Sequence, residues 1–209
     1  MTKKKTGRFL LKKTNLALFD FDGTITTKDT LVGFIQYAAG KKAYYLGLLK
    51  LSPMLTAYTL KLIPNYEAKE RMIAHFFQGW DSIEFQSLAN RYSLEEIDKI
   101  TRPQAIQQIR WHQEQKDKVV IVSASMECWL KAWCEQYNID LLSTRLEVRD
   151  QKITGKFATK NCHGVEKVQR IKERYNLKEY NKIYGYGDSS GDKALLALAD
   201  ESFYKPFRG

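Results

Sequence analysis

The chain has 209 residues, of which 44% are hydrophobic and 28% are charged, and its formal net charge is +10. This balance is typical of a globular domain and excludes collagen-like and wholly disordered chains. Much of the positive charge lies in the first thirteen residues, which contain no acid, so the remainder of the chain is only mildly basic. The basic residues of this segment are Lys3, Lys4, Lys5, Arg8, Lys12 and Lys13.

We interpret the basic segment as a solvated arm, with an electrostatic contact to anionic lipid or nucleic acid as the alternative. No apolar stretch long enough for a secretory signal follows its lysines. The cysteines Cys128, Cys134 and Cys162 form no CxxC pair, which is typical of reduced thiols in the cytoplasm. We therefore expect a cytoplasmic protein without zinc, with peripheral membrane contact through the arm as an alternative and no specific nucleic-acid partner.

The first predicted element is a buried strand over 15–22, where the run NLALFDFD ends in two acids before a turn at Gly23-Thr24. Apolar periodicity then predicts helical stretches over 30–38, 43–63, 68–78 and 83–112. A crossover between two strands needs far fewer residues than this. We therefore take 27–112 as a helical cap inserted into a core made of 1–26 and 113–209.

The apolar stretch 43–63 of this cap has two interpretations. It contains Lys50, Pro53 and Lys61, so it lacks the unbroken apolar run of a membrane span. We predict a buried helical hairpin within the cap, with a membrane-interfacial patch as the alternative.

The second half of the chain alternates predicted strands and helices. In chain order these are a strand over 119–125, a helix over 126–137, a strand from Ile139, a β-hairpin over 145–157, a strand from Lys182, a helix over 193–199 and a short last strand. Such alternation indicates an α/β fold, a Rossmann-like doubly wound parallel sheet with the cap inserted. Reactive groups of these folds collect at the carboxyl ends of the strands.

Asp20 and Asp22 lie at the end of the first predicted strand, two residues apart, so their side chains should point the same way. Two adjacent carboxylates repel each other, and a cation compensates for this. Mg²⁺ prefers carboxylate oxygens together with substrate phosphate, and we expect Asp20, the backbone of Asp22 and Asp188 to bind it. Asp22 is then free to protonate the leaving oxygen and later to activate water.

Two further residues are candidates for binding phosphate. Ser123 ends the second predicted strand, where its hydroxyl and nearby N–H groups can hold a phosphate oxygen. Lys167 begins a predicted helix, where the side chain and the helix N-terminus both favour an anion. Taken alone, a helix cap and an exposed lysine are the simpler interpretations of these two residues.

The order of the motifs DFDGT, VIVSAS, Lys167 and GYGDSSGD resembles that of the haloacid dehalogenase superfamily. The resemblance implies that Asp20 is the nucleophile, Asp22 the general acid and base, and Ser123 with Lys167 the phosphate-binding pair. It also implies that Asp188 binds magnesium, and that Asp192 holds metal-bound water or orients Lys167. A receiver domain would need no cap, and a dehalogenase or a transport ATPase would lack an acid at position 22.

The large helical insertion resembles the C1-type cap of the phosphoserine phosphatase-like subfamily. This resemblance implies that Asp29 reads the substrate amine and that Arg71 binds the substrate carboxylate. The sequence departs from that pattern at Gly23-Thr24 and at Ser123-Ala124-Ser125, which puts phosphoserine itself in doubt. The apolar cap, NCHGVEK and GYGDSSGD are also similar to phosphatidylglycerophosphatase C-type members.

The resemblance predicts a magnesium-dependent phosphomonoester hydrolase that acts through an aspartyl-phosphate on a small or lipid-linked substrate. Two alternatives stay open: a phosphotransferase on the same core, and a membrane- or nucleic-acid-binding protein that uses the basic arm.

Overall fold

The computed structural model describes residues 13–208. Most of the predicted basic arm, from Lys3 to Lys12, lies outside the described residues. Within them, five parallel strands form one sheet in the order β3-β2-β1-β6-β7. The strands are β1 Leu16–Phe19, β2 Lys118–Met126, β3 Asp140–Thr144, β6 Ile183–Gly187 and β7 Glu201–Tyr204.

Both faces of the central strand β1 are buried, which explains its continuous apolar sequence. Ala17 and Phe19 point to one face, under the cap side of the molecule, whereas Leu16 and Leu18 point to the other. The second face is covered by α7 Val165–Arg174 and α8 Lys193–Leu198. The predicted doubly wound α/β fold is confirmed.

The first four of the five helices between β1 and β2 belong to the inserted segment. They are α1 Thr30–Ala39, α2 Lys41–Thr59, α3 Asn65–Phe77 and α4 Ser82–Glu95. The segment that leads from the sheet into these helices lies beside the segment that leads back. There the amide of Thr27 donates to the carbonyl of Ile100 at 2.7 Å, and the amide of Arg102 donates to the carbonyl of Ile25 at 2.8 Å. The stretch predicted as helical over 83–112 is therefore two helices, separated by these connections and a short 3₁₀ turn.

The helix at the end of the 83–112 stretch, α5 Pro103–Glu114, packs against the sheet. His112 of this helix is fully buried, and its ring nitrogens lie 2.8 Å from Oδ2 of Asp117 and 2.9 Å from the hydroxyl of Tyr186 on β6. Burial lowers the pKa of His112, with Asp117 opposing the shift. Because α5 is fixed to the sheet in this way, we propose that the cap ends near residue 101 and not at 112.

A two-stranded antiparallel hairpin, β4 Leu146–Arg149 and β5 Lys152–Phe157, confirms the hairpin predicted over 145–157. It follows α6 Glu127–Gln136 and β3, and β5 packs against α3 of the cap. Gly155 makes this contact close: its φ is +84°, and a Cβ at this position would lie 2.5 Å from the Cα of Ala74. The hairpin therefore ties the core to the cap helices.

The buried helical hairpin predicted over 43–63 is wrong. Residues 41–59 form the single helix α2, which continues through Pro53, and many of its apolar side chains face solvent. The amino-acid composition could not distinguish a buried hairpin from a single helix with an exposed apolar side, because both have an apolar sequence. Within residues 13–208, no helix is long and apolar enough to cross a membrane.

Candidate active site

Asp20 follows directly after β1, at the carboxyl edge of the sheet, and contacts Lys167 of α7. The ammonium of Lys167 lies 2.5 Å from Oδ1 of Asp20 and 2.7 Å from Oδ1 of Asp192. All three side chains are almost completely buried, Lys167 with 1% of its surface exposed. A buried ammonium needs such partners, so the two carboxylates fix the position of Lys167.

The charges of these groups are strongly coupled. Burial alone would lower the pKa of Lys167, but the carboxylates of Asp20 and Asp192 raise it above its ordinary value. Burial likewise opposes ionisation of Asp192, yet Lys167 and Ser189 hold its pKa below the usual range. Burial raises the pKa of Asp20, and Lys167 opposes that shift. A further cation beside Asp20 would favour its ionised form.

Asp188 follows β6 and lies on the other side of Asp20. The hydroxyl of Thr24 lies 3.1 Å from Oδ2 of Asp20 and 3.3 Å from Oδ1 of Asp188, so it can donate to either. Asp188 also accepts from the guanidinium of Arg208. Gly23 permits this close approach: its φ is +81°, and a Cβ there would lie 2.6 Å from Oδ2 of Asp188.

The acids that could hold a metal ion are Asp20, Asp188 and Asp192, which offer oxygen atoms within 4.8 Å of one another. An all-carboxylate donor set is typical of Mg²⁺ sites, and the absence of a side chain at Gly23 leaves room at Asp188. Asp192 is the least available of the three, because Lys167 occupies Oδ1 and Oδ2 accepts from Ser189. These contacts favour an orienting role for Asp192.

The side chain of Asp22 lies outside this acid group, and only its backbone was predicted to bind the metal. Its Oδ1 accepts from the amide of Thr30 at 2.8 Å, and its Oδ2 accepts from the hydroxyl of Ser125. Burial and the negative charge of Asp29 raise the pKa of Asp22 to about 7. The group is thereby suited to carry a proton, which is what a general acid requires.

Ser123 is buried on β2, three residues before that strand ends, and its Oγ accepts from the amide of Ser125 at 3.0 Å. The pairing of β2 with β3 shifts register between Ser123 and Met126. This irregular end of β2 brings Ser125 to Asp22, a contact that the sequence analysis missed. The sequence feature that could have indicated this contact is Ser125, the second serine of the SAS motif, where the phosphoserine phosphatase-like pattern has glycine.

The two specificity residues predicted in the cap occupy different surroundings. Asp29 is the N-cap of α1, where its carboxylate accepts from the amides of Leu31 and Val32 at 2.8 and 3.2 Å. Arg71 is half exposed on α3 and pairs with Glu67 one turn away. The structure therefore does not bring Arg71 to the acids.

Lys69, two residues earlier on α3, does reach the site. Its ammonium donates to the carbonyl of Ala124 at 3.2 Å, directly after Ser123. Its charge also contributes, after burial and Lys167, to lowering the pKa of His163, whose ring lies beside Gly191. Lys69 is thus the cap residue whose positive charge lies next to the end of β2.

Comparison with known proteins identifies the family of this chain. Residues 17–197 match the family described as haloacid dehalogenase-like hydrolase. The chain is 33% identical over 196 residues to the protein CicA of Caulobacter vibrioides, covering 93% of this chain and 87% of that protein. It is 26% identical over 206 residues to a histidinol-phosphatase of Neisseria meningitidis serogroup C, covering 90% and 88% of the two chains.

Among solved structures, one of a phosphoserine phosphatase with an analogue of its phospho-aspartyl intermediate has a TM-score of 0.64. It is 16% identical, and the match covers 91% of this chain and 86% of that one, so it shows a shared fold. The superfamily resemblance that the four motifs predicted is therefore confirmed. The chain belongs to the haloacid dehalogenase-like hydrolase family.

Proposed function

We propose that this protein is a magnesium-dependent phosphatase that hydrolyses phosphomonoesters through an aspartyl-phosphate on Asp20. The observation that carries the proposal is the buried contact of Lys167 with Asp20 and Asp192, beside Asp188. An anionic nucleophile that attacks an anionic phosphate needs nearby positive charge, which Lys167 supplies. The phosphatase names of relatives support the reaction class.

In the first step, a carboxylate oxygen of Asp20 attacks phosphorus while the bond from phosphorus to the ester oxygen breaks. Asp22 gives its proton to the departing alkoxide, so an alcohol leaves. In the second step, Asp22 removes a proton from water, which attacks the same phosphorus and releases Asp20 and inorganic phosphate. Lys167 stays paired with Asp192 throughout and faces the transferred group.

Asp20 and Asp188 would hold Mg²⁺, with Asp192 behind them. The ion would supply charge neutralisation for the approach of the carboxylate to the phosphoryl group. Ser123, with the amides at the end of β2, would bind a phosphoryl oxygen together with Lys167. The substrate class we propose is a small or lipid-linked phosphomonoester, over which the cap closes. A phosphotransferase would use the same residues but release no phosphate.

We expect EDTA to abolish phosphate release from p-nitrophenyl phosphate and Mg²⁺ to restore it. Calcium should restore much less, because its larger and looser coordination misplaces the nucleophile. Adding an alcohol acceptor and measuring both free phosphate and phosphorylated alcohol separates hydrolysis from transfer. Full activity in the chelator, or transfer without hydrolysis, would contradict the proposal.

A second experiment addresses how the cap contributes to specificity. Lys69→Met should raise the KM of substrates with an anionic group beyond the phosphate by roughly tenfold, because a charge-assisted contact is lost while the aliphatic stem is kept. Arg71→Met is the matched control on the same helix and should leave KM and kcat unchanged. If the two variants behave alike, or if Lys69→Met affects every ester equally, Lys69 has no role in discrimination.

A further inference from the structure

The outer face of α2 is a row of exposed apolar side chains. Tyr45, Leu46 and Leu49, which we name the α2 stripe, are 63%, 62% and 72% exposed. Leu49 lies three residues after Leu46 and four after Tyr45, so the three side chains share one side of the helix. Beyond the helix end, Leu60 and Leu62 are exposed to a similar extent.

This exposure does not reflect loose packing of α2. Its opposite side buries Tyr44, Gly47 and Met54 against the rest of the cap. A Cβ on Gly47 would collide with the ring of Phe76 on α3, so the two helices are in close contact there. Helix α2 is therefore apolar on two sides, one buried and one facing solvent. An exposed apolar side of this kind marks a surface that contacts a partner or a membrane.

The charges around the α2 stripe identify that environment. Lys41 and Lys42 begin the helix, Lys50 follows the stripe, and Lys61 lies just past the C-terminal end. No acidic residue occurs from Lys41 to Tyr66, so this surface segment is positive throughout. Apolar side chains bordered by lysines, without acids, are complementary to a membrane surface of anionic lipids.

We propose that α2 docks the protein on anionic lipid membranes, with the α2 stripe inserted among the lipids and the lysines at the headgroups. The helix lies in the plane of the interface and does not span it. This proposal concerns a surface that takes no part in the reaction. It therefore stands or fails independently of the phosphatase mechanism.

The test uses the full-length chain and vesicles of phosphatidylcholine, with or without phosphatidylserine, in a flotation assay. Wild-type protein should bind the mixed vesicles and bind pure phosphatidylcholine much less. Changing Tyr45, Leu46 and Leu49 to Gln should weaken binding by at least about tenfold, because three apolar side chains lose their burial. Lys41→Gln with Lys42→Gln should weaken it by roughly fivefold per lysine.

The matched control replaces three exposed apolar residues elsewhere, Ile83, Leu94 and Val148, by Gln and should bind like wild type. Thermal unfolding of each variant shows that the protein is folded. Unchanged vesicle binding by the α2 stripe variant would assign binding to another segment and overturn the proposal. So would a wild-type dimer that the same substitutions dissociate, because the stripe would then contact a second copy of the chain.

Discussion

An Asp20→Asn variant should fold like the wild type and lose at least about 10⁴-fold of its turnover. The amide is a poor nucleophile, and the neighbouring Asp192 is not free to replace Asp20, because it is held by Lys167 and Ser189. Lys167 keeps Asp192 at 2.7 Å and can still donate to the amide oxygen at position 20, so the buried ammonium retains partners.

The measurement is phosphate release at saturating Mg²⁺, together with thermal unfolding of the same sample. Asp140→Asn is the matched control, because Asp140 begins β3 at the opposite end of the sheet and pairs with Lys118. That variant should retain full activity. A folded Asp20→Asn protein with wild-type turnover would rule out Asp20 as the nucleophile, and the aspartyl-phosphate with it.

The core could be predicted from sequence because its signals are local. The strand that ends in DFDGT is continuous and apolar, and its acids lie within a few residues of the point where it ends. The carboxyl edge of a parallel sheet then brings Asp20 and Asp188 together whatever the length of chain between them. The role of Lys167 could be predicted only from the order of the motifs, because nothing in the helix sequence alone indicates that this lysine is buried.

The cap was predicted less well because its contacts depend on helix rotation and packing. In α3, Lys69 lies on the same side as Met72, Ile73 and Phe76, whereas Arg71 lies on the opposite side. A lysine next to apolar residues at helical spacing was thus a signal available in the sequence, whereas the resemblance to phosphoserine phosphatases indicated Arg71 instead. For α2 no such signal existed, because its apolar residues surround the helix and only the packed structure separates the buried side from the exposed one.

The division of labour between Asp20 and Asp22 leads to the second large effect. Asp22→Asn should lose about 10²–10⁴-fold of turnover on alkyl phosphates, which is the usual contribution of general acid–base catalysis. Metal and phosphate binding should persist, because the side chain of Asp22 contacts Thr30 and Ser125 and not the acid group. The asparagine Oδ1 can still accept from the amide of Thr30, and its amide nitrogen can donate to the hydroxyl oxygen of Ser125, so both contacts are kept.

The leaving group distinguishes this role from a structural one. A phenolate such as p-nitrophenolate departs without protonation, so the first step should survive in Asp22→Asn. Hydrolysis of the acyl phosphate still needs a base for water, so the second step should be slowed. The variant should then release about one equivalent of p-nitrophenol rapidly and accumulate phosphate bound to Asp20, which an acid quench traps.

Ser125→Ala serves as the comparison, because it removes one donor to Asp22 and leaves the carboxyl in place. Equal slowing of aryl and alkyl esters, with no burst and no trapped phosphoenzyme, would mean that the acid and base come from another residue, and Lys69 and His163 beside the site would be the next to test.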